Sequence, residues 1–121
     1  MASRPPFQER RRALRVPVRL KGIVLAGPNR LMTNLTNLSV SGAFMVGVDA
    51  PLGAQAILRV DLPDGPLDVP FTVVRKIKNK SGNLGIHFLE PMPENVEERL
   101  SRYVRDIERQ LVASLRGEKE S

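Results

Sequence analysis

The sequence of 121 residues contains no cysteine, no tryptophan and only one histidine. Without cysteine, disulfides and thiolate metal sites are excluded, and a reducing compartment is compatible with the chain. The amino terminus has no apolar run typical of a signal sequence. No window approaches the roughly 20 apolar residues that a membrane-spanning helix requires. We therefore expect a cytoplasmic domain without a membrane span.

The residues needed for enzymatic chemistry are also scarce. The one histidine, His87, stands between Ile86 and Phe88 in an alternating run, and we interpret it as an exposed strand residue. No histidine or acidic cluster has metal-ligand spacing, and no glycine-rich phosphate loop is present. The acidic residues at 61, 64 and 68 flank a turn and are expected to be solvated. The sequence therefore predicts a protein that is not an enzyme and has no cofactor or metal.

Aromatic residues are few, and the positive charge is concentrated at one end of the chain. Four phenylalanines and one tyrosine disfavour a nucleic-acid site built on stacked bases. The net charge is +6, and residues 1–21 hold seven basic side chains and one acidic side chain, while the rest is balanced. A basic arm on a neutral body favours a focused anionic partner. A solvated basic tail is the alternative that charge alone leaves open.

Alternation of apolar and polar residues predicts a mainly β fold. Strands are expected at about 16–24, 31–36, 43–48, 55–62, 67–78 and 84–88. They are separated by turn sequences such as Gly27-Pro28-Asn29 and Pro63-Asp64-Gly65-Pro66. Six short strands without a long loop predict a small antiparallel barrel, because closure removes exposed strand edges.

The carboxyl-terminal part has a different periodicity. Apolar residues recur every three or four positions from Val96 to Leu115, which predicts an amphipathic helix over 92–116. Its first half is expected to cap the barrel. Its second half, through Leu111 and Leu115, is expected to extend beyond so small a body and to meet a partner helix or a second copy of the chain. The predicted organisation is a flexible tail over 1–9, a barrel with a basic arm over 10–91, this helix, and a disordered tail over 117–121.

An arginine cluster over residues 9–15 precedes the first strand. Arg11 and Arg15 are four residues apart and lie on one side of either a helical turn or an extended strand. Arginine forks onto phosphate, stacks on planar bases and bonds the O6/N7 edge of guanine. Mutual repulsion between these charges predicts an arm that is loose until an anion bridges them.

A second polar stretch spans residues 37–42. Asn37, Ser39 and Ser41 alternate with apolar residues, so we expect the three polar side chains to point outward together. Gly42 permits a backbone conformation or a close approach that other residues forbid. The alternative is a capped turn in which the asparagine and serine side chains satisfy themselves.

Together these stretches resemble the paired signature of PilZ domains, the bacterial receptors for cyclic di-GMP. The signature is carried by Arg11-x-x-x-Arg15 and Asn37-x-Ser39-x-x-Gly42, and 85–88 (Gly-Ile-His-Phe) resembles the family's closing strand. The resemblance covers roughly residues 9–90. It implies a six-stranded antiparallel barrel with a terminal helix, the same architecture that the alternation predicts separately.

The resemblance also implies a role for each residue of the signature. Arg11 and Arg15 would grip guanine edges and phosphates, and Asn37 and Ser39 would bond a guanine edge from the barrel surface. Gly42 would shape the turn. Arg10, just before the first motif, is similar to an extra arginine of members that bind a stacked pair of ligand molecules.

The predicted function is that of a cyclic di-GMP receptor, which orders its arm on the barrel and signals to an effector protein in motility, biofilm or surface behaviour. One alternative is an adaptor of the same fold that does not bind the nucleotide. A small basic barrel that binds nucleic acid is a second alternative, which the neutral body and the few aromatics disfavour.

Overall fold

A computed structural model of the chain describes residues 14–77 and 82–117. These residues form six strands and one helix: β1 Val16–Ala26, β2 Asn29–Leu38, β3 Gly42–Val46, β4 Gln55–Leu62, β5 Gly65–Lys76, β6 Asn83–Phe88 and α1 Glu94–Gly117. The predicted six-stranded antiparallel barrel with a carboxyl-terminal helix is confirmed. Of the predicted basic arm, only the end at Leu14 and Arg15 lies within the described residues.

The strands close in the order β1-β2-β3-β6-β5-β4, and every neighbouring pair is antiparallel. Four of the six pairings join strands that follow one another in sequence, namely β1 with β2, β2 with β3, β4 with β5 and β5 with β6. The pairings β3–β6 and β1–β4 join strands that are far apart in sequence, and they close the barrel.

Alternation decides which side chains fill the barrel. In β5, Leu67, Val69, Phe71 and Val73 are buried, whereas the residues between them are partly or fully exposed. The other strands follow the same rule, and Leu35, Met45, Leu58, Leu84 and Ile86 are almost completely buried. Burying one such side chain stabilises a fold by about 1.5–3 kcal/mol. The strand pattern in the sequence is therefore the core pattern of the barrel.

The first half of α1 covers one end of this core. Val96, Leu100 and Val104 are buried, and Leu100 is completely inaccessible to solvent. Further along the helix, Leu111 and Leu115 are exposed, with 40% and 74% of their surface accessible. The helix thus caps the barrel with its first half, whereas the end of the same apolar stripe is exposed to solvent.

Arg99 joins this helix to the turn between β4 and β5. Its guanidinium donates to both carboxylate oxygens of Asp64, at 2.7 and 3.2 Å, and to the carbonyls of Gly65 and Pro66, at 2.8 and 3.2 Å. The hydrogen bond from Arg99 lowers the pKa of the Asp64 carboxyl below its ordinary value. Arg99 therefore binds three consecutive residues, one in the turn and two at the start of β5, from a single helix position.

We predict that Arg99→Ala lowers the melting temperature by a few degrees at pH 7, whereas Arg105→Ala, on the same helix, has little effect. Because the pKa of Asp64 is lowered in the folded state, its contribution is complete above the unfolded pKa of about 3.9 and is lost as the pH falls through the folded value. Thermal unfolding at pH 7 and pH 3 measures this: the gap between wild type and Arg99→Ala narrows at pH 3. A gap that is the same at both pH values would contradict the role of the ion pair.

Candidate functional site

The candidate site lies at the end of the barrel where β1 begins. In the register, Val16 and Pro17 at the start of β1 pair with Leu38 and Asn37 at the end of β2. The chain then turns through residues 39–41 into β3. Arg15, at the end of the arginine cluster, and the polar stretch about twenty residues later therefore meet at one end of the sheet.

One side-chain hydrogen bond joins the two predicted motifs directly. Nη1 of Arg15 donates to Oδ1 of Asn37 at 2.8 Å, on the exposed surface of the protein. A guanidinium has five N–H donors, so this contact leaves most of them for an anion or a base edge. Arg10 and Arg11 lie outside the described residues, so the structure brings together Arg15, Asn37, Ser39 and Gly42 of the predicted site.

The expectation that Ser39 points outward with Asn37 and Ser41 is wrong. Ser39 is completely buried, because β2 ends at Leu38 and the alternation of a strand no longer applies in the turn. Oγ of Ser39 accepts the backbone N–H groups of Ser41 and Gly42, both at 3.1 Å, and lies 3.3 Å from the carbonyl of Gly42. Ser39 therefore caps the turn with its own hydroxyl, as in the alternative given in the sequence analysis.

Gly42 is required by a close approach between strands and not by its backbone conformation. A Cβ at this position would lie 2.2 Å from the carbonyl oxygen of Ile86 in β6. This distance is far below a normal contact, so any other residue would push β3 and β6 apart. Gly42 therefore allows the end of the turn to lie directly against β6.

The sequence reasoning missed one neighbour of this turn. His87 is exposed on β6, as predicted, but its Cα partner on β3 is Gly42. Strand alternation alone cannot identify such a partner, since the pairing of β3 with β6 is set by the closed barrel.

Of the three acidic residues near the β4–β5 turn, Asp61 is exposed as predicted, whereas Asp64 and Asp68 are paired and not simply solvated. Asp64 binds Arg99 as described above, and Asp68 binds Arg59 through two hydrogen bonds of 2.7 and 3.0 Å. The hydrogen bond from Arg59 lowers the pKa of the Asp68 carboxyl. Within residues 14–77 and 82–117, no three histidine or acidic side chains cluster closely enough to hold a metal. The helix described there is not apolar enough to cross a membrane.

We predict that Ser39→Ala lowers the free energy of unfolding by about 1–3 kcal/mol, because it leaves two N–H groups of the turn without their acceptor. Ser41→Ala is the matched control: its partly exposed hydroxyl contacts only Oγ of Ser39 among the described contacts, at 3.2 Å. Urea unfolding of both variants measures the difference. Equal stability of the two variants would show that the buried hydroxyl does not hold the turn.

Comparison with known proteins agrees with this geometry. The PilZ domain family matches residues 9–106, which include both motifs, all six strands and the buried half of α1. No curated protein matches the sequence. Several solved structures have the same fold. They include YcgR of Escherichia coli in complex with cyclic di-GMP, with a TM-score of 0.73 and 22% identity over 93% of this chain and 51% of that one.

Two other solved structures extend the comparison. The inhibitor of motility MotI/DgrA of Bacillus subtilis has a TM-score of 0.67 and 21% identity, over 88% of this chain and 56% of that one. The PilZ domain of CeSA from a cellulose-synthesizing bacterium has a TM-score of 0.61 and 19% identity, over 79% and 99%. The chain thus spans about half the length of YcgR and of MotI/DgrA. On the family match and the shared fold, the chain belongs to the PilZ domain family.

Proposed function

We propose that this protein is a cyclic di-GMP receptor that acts as an adaptor towards another protein. The observation that carries the proposal is the hydrogen bond of 2.8 Å between Arg15 and Asn37, which joins the two motifs in one exposed place. The YcgR structure contains cyclic di-GMP, and this supports the same ligand class here. We further propose that the protein is bacterial and cytoplasmic and that it has no catalytic activity.

In this proposal each predicted site residue has a defined task. Arg15 and Arg11 bind phosphates and guanine edges, Arg10 stacks on a base, and Asn37 bonds a guanine edge beside Arg15. Because Ser39 is buried in the turn, its proposed task is to fix the backbone on which Asn37 and Gly42 stand. Cyclic di-GMP then holds residues 9–13 against the end of the barrel, and the changed surface is what the effector protein binds.

We predict that Arg15→Ala and Asn37→Ala each weaken cyclic di-GMP binding by tenfold or more, because each removes hydrogen bonds to a charged or base-edge partner. Arg11→Ala is expected to behave as Arg15→Ala does. Isothermal titration calorimetry measures the affinity, with GTP as the ligand control.

The chain offers a matched control for each substitution. Arg30→Ala removes the same charge near the start of β2, and Asn34→Ala removes the same amide in the middle of β2, both at exposed positions. Both controls should bind as wild type does. Unchanged affinity in Arg15→Ala would contradict the proposed site, and the absence of any binding by wild type would favour the adaptor that does not use the nucleotide. Steeply salt-dependent binding to random oligonucleotides would favour the nucleic-acid alternative.

We also propose that the second half of α1 pairs with the same helix of a second copy of the chain. The apolar stripe that packs on the barrel through Val104 continues as exposed Leu111 and Leu115, and Val112 beside it is also exposed. A groove between the helix and the start of β1 adjoins this stripe, lined in part by Ile107 and Leu111. Two identical stripes complement each other, since both present aliphatic side chains at helical spacing.

We predict that the full chain sediments as a dimer at tens of micromolar and that Leu115→Glu shifts it to monomer, because the charge would be buried between the helices. Leu52→Glu is the control, since Leu52 is similarly exposed, at 62%, but lies in the segment between β3 and β4. Sedimentation velocity distinguishes the two variants. A wild-type chain that is strictly monomeric would contradict the pairing.

A further inference from the structure

His87 is the one histidine of the chain, and the barrel places it beside the candidate site. It lies on the outer face of β6, where its neighbours Ile86 and Phe88 are buried in the core. Its Cα partners are Gly42 on β3 and Thr72 on β5. His87 therefore lies between Gly42, at the end of the turn after β2, and Thr72 of β5.

The imidazole lies close against Gly42. A Cβ built on Gly42 would be 3.3 Å from Cδ2 of His87, so the ring occupies the space beside the glycine that a side chain would otherwise take. The backbone N–H of Phe88 also donates to the carbonyl of Ser41 at 2.9 Å. This hydrogen bond fixes the end of β6 to the turn, and with it the backbone that carries His87.

The spacing from His87 to Asn37 suits a single cyclic dinucleotide. Asn37 pairs with Phe44 on β3, and Gly42, the partner of His87, is two residues from Phe44. With strands about 4.8 Å apart and about 3.3 Å per residue, the Cα atoms of His87 and Asn37 are about 12 Å apart. A ligand with two guanines and two phosphates can contact Asn37 at one side and the imidazole at the other.

We propose that His87 is a further ligand-binding residue of the nucleotide site, and that cyclic di-GMP binds more tightly when its imidazole is protonated. This inference rests on the proposed function of the site. A neutral imidazole offers one N–H donor to a phosphate or guanine edge, whereas the protonated ring offers two and adds a positive charge. The gain comes from attraction to the phosphates of the ligand.

The surroundings allow such a pH dependence to be assigned to this residue. The strands on either side contribute Gly42 and Thr72, neither of which titrates. The next charged side chains along these strands are Arg75, whose residue pairs with Gly85, and Glu90 after the end of β6. Since the chain has no second histidine, substitution of His87 removes its one imidazole.

The test is calorimetric titration of cyclic di-GMP at pH 5.5, 6.5 and 7.5 with wild type, His87→Gln and His87→Arg. Wild type is expected to bind about threefold to fivefold more tightly at pH 5.5 than at pH 7.5, the range for an exposed charge pair. His87→Gln should bind with the weaker affinity at every pH. His87→Arg should bind with the tighter affinity at every pH, because its charge is permanent.

The double variant His87→Gln with Gln55→His is the matched control. Gln55 pairs with Thr72, so this exchange moves the imidazole two strands along the same row, away from Gly42, without changing the composition. It should bind like His87→Gln alone. Wild type and His87→Gln with equal affinity and equal pH dependence would overturn the role of His87 and leave the proposed function standing. No binding by wild type at any pH would overturn both.

Discussion

The close contact between Gly42 and the carbonyl of Ile86 is the constraint on which the rest of the structure depends. It allows β3 and β6 to pair, and this pairing joins strands that are separated by about forty residues of chain. The pairing helps to close the barrel, so that each described strand has a neighbour on both sides. It also puts the turn after β2 and the end of β6 side by side. Because glycine has no side chain, residue 42 thus permits both the closure of the barrel and the assembly of the candidate site.

Around this contact, buried and exposed polar groups have separate tasks. The hydroxyl of Ser39 lies inside the turn and accepts hydrogen bonds from two backbone N–H groups. Burying these groups without an acceptor would lower the stability of the fold. Asn37 and Arg15 remain on the surface and contact each other. The site therefore combines a rigid backbone, held by the serine and the glycine, with exposed donors that a ligand can reach. Such a division supports binding without large rearrangement of the barrel itself.

The helix is attached to the barrel by two different interactions. Buried apolar residues such as Leu100 hold its first half, and Arg99 fixes its rotation by binding the β4–β5 turn. Further along this helix of 24 residues, Leu111, Val112 and Leu115 are exposed. At a rise of about 1.5 Å per residue, such a helix is about 36 Å long. The first half of α1 is thus part of the core, and the apolar side chains of its second half remain accessible.

The sequence by itself determined the elements and the residue types of the site. Alternation placed the six strands and helical periodicity placed α1, because each of these signals depends on residues close together in the chain. The motifs around Arg15 and Asn37 indicated the PilZ family by resemblance. Only the tertiary structure decided that Ser39 turns inward, that Asp64 and Asp68 have arginine partners, and that His87 lies beside Gly42. These outcomes depend on where a strand ends and which distant strand pairs with it. Both are set by closing the barrel around its core, and no local pattern records them.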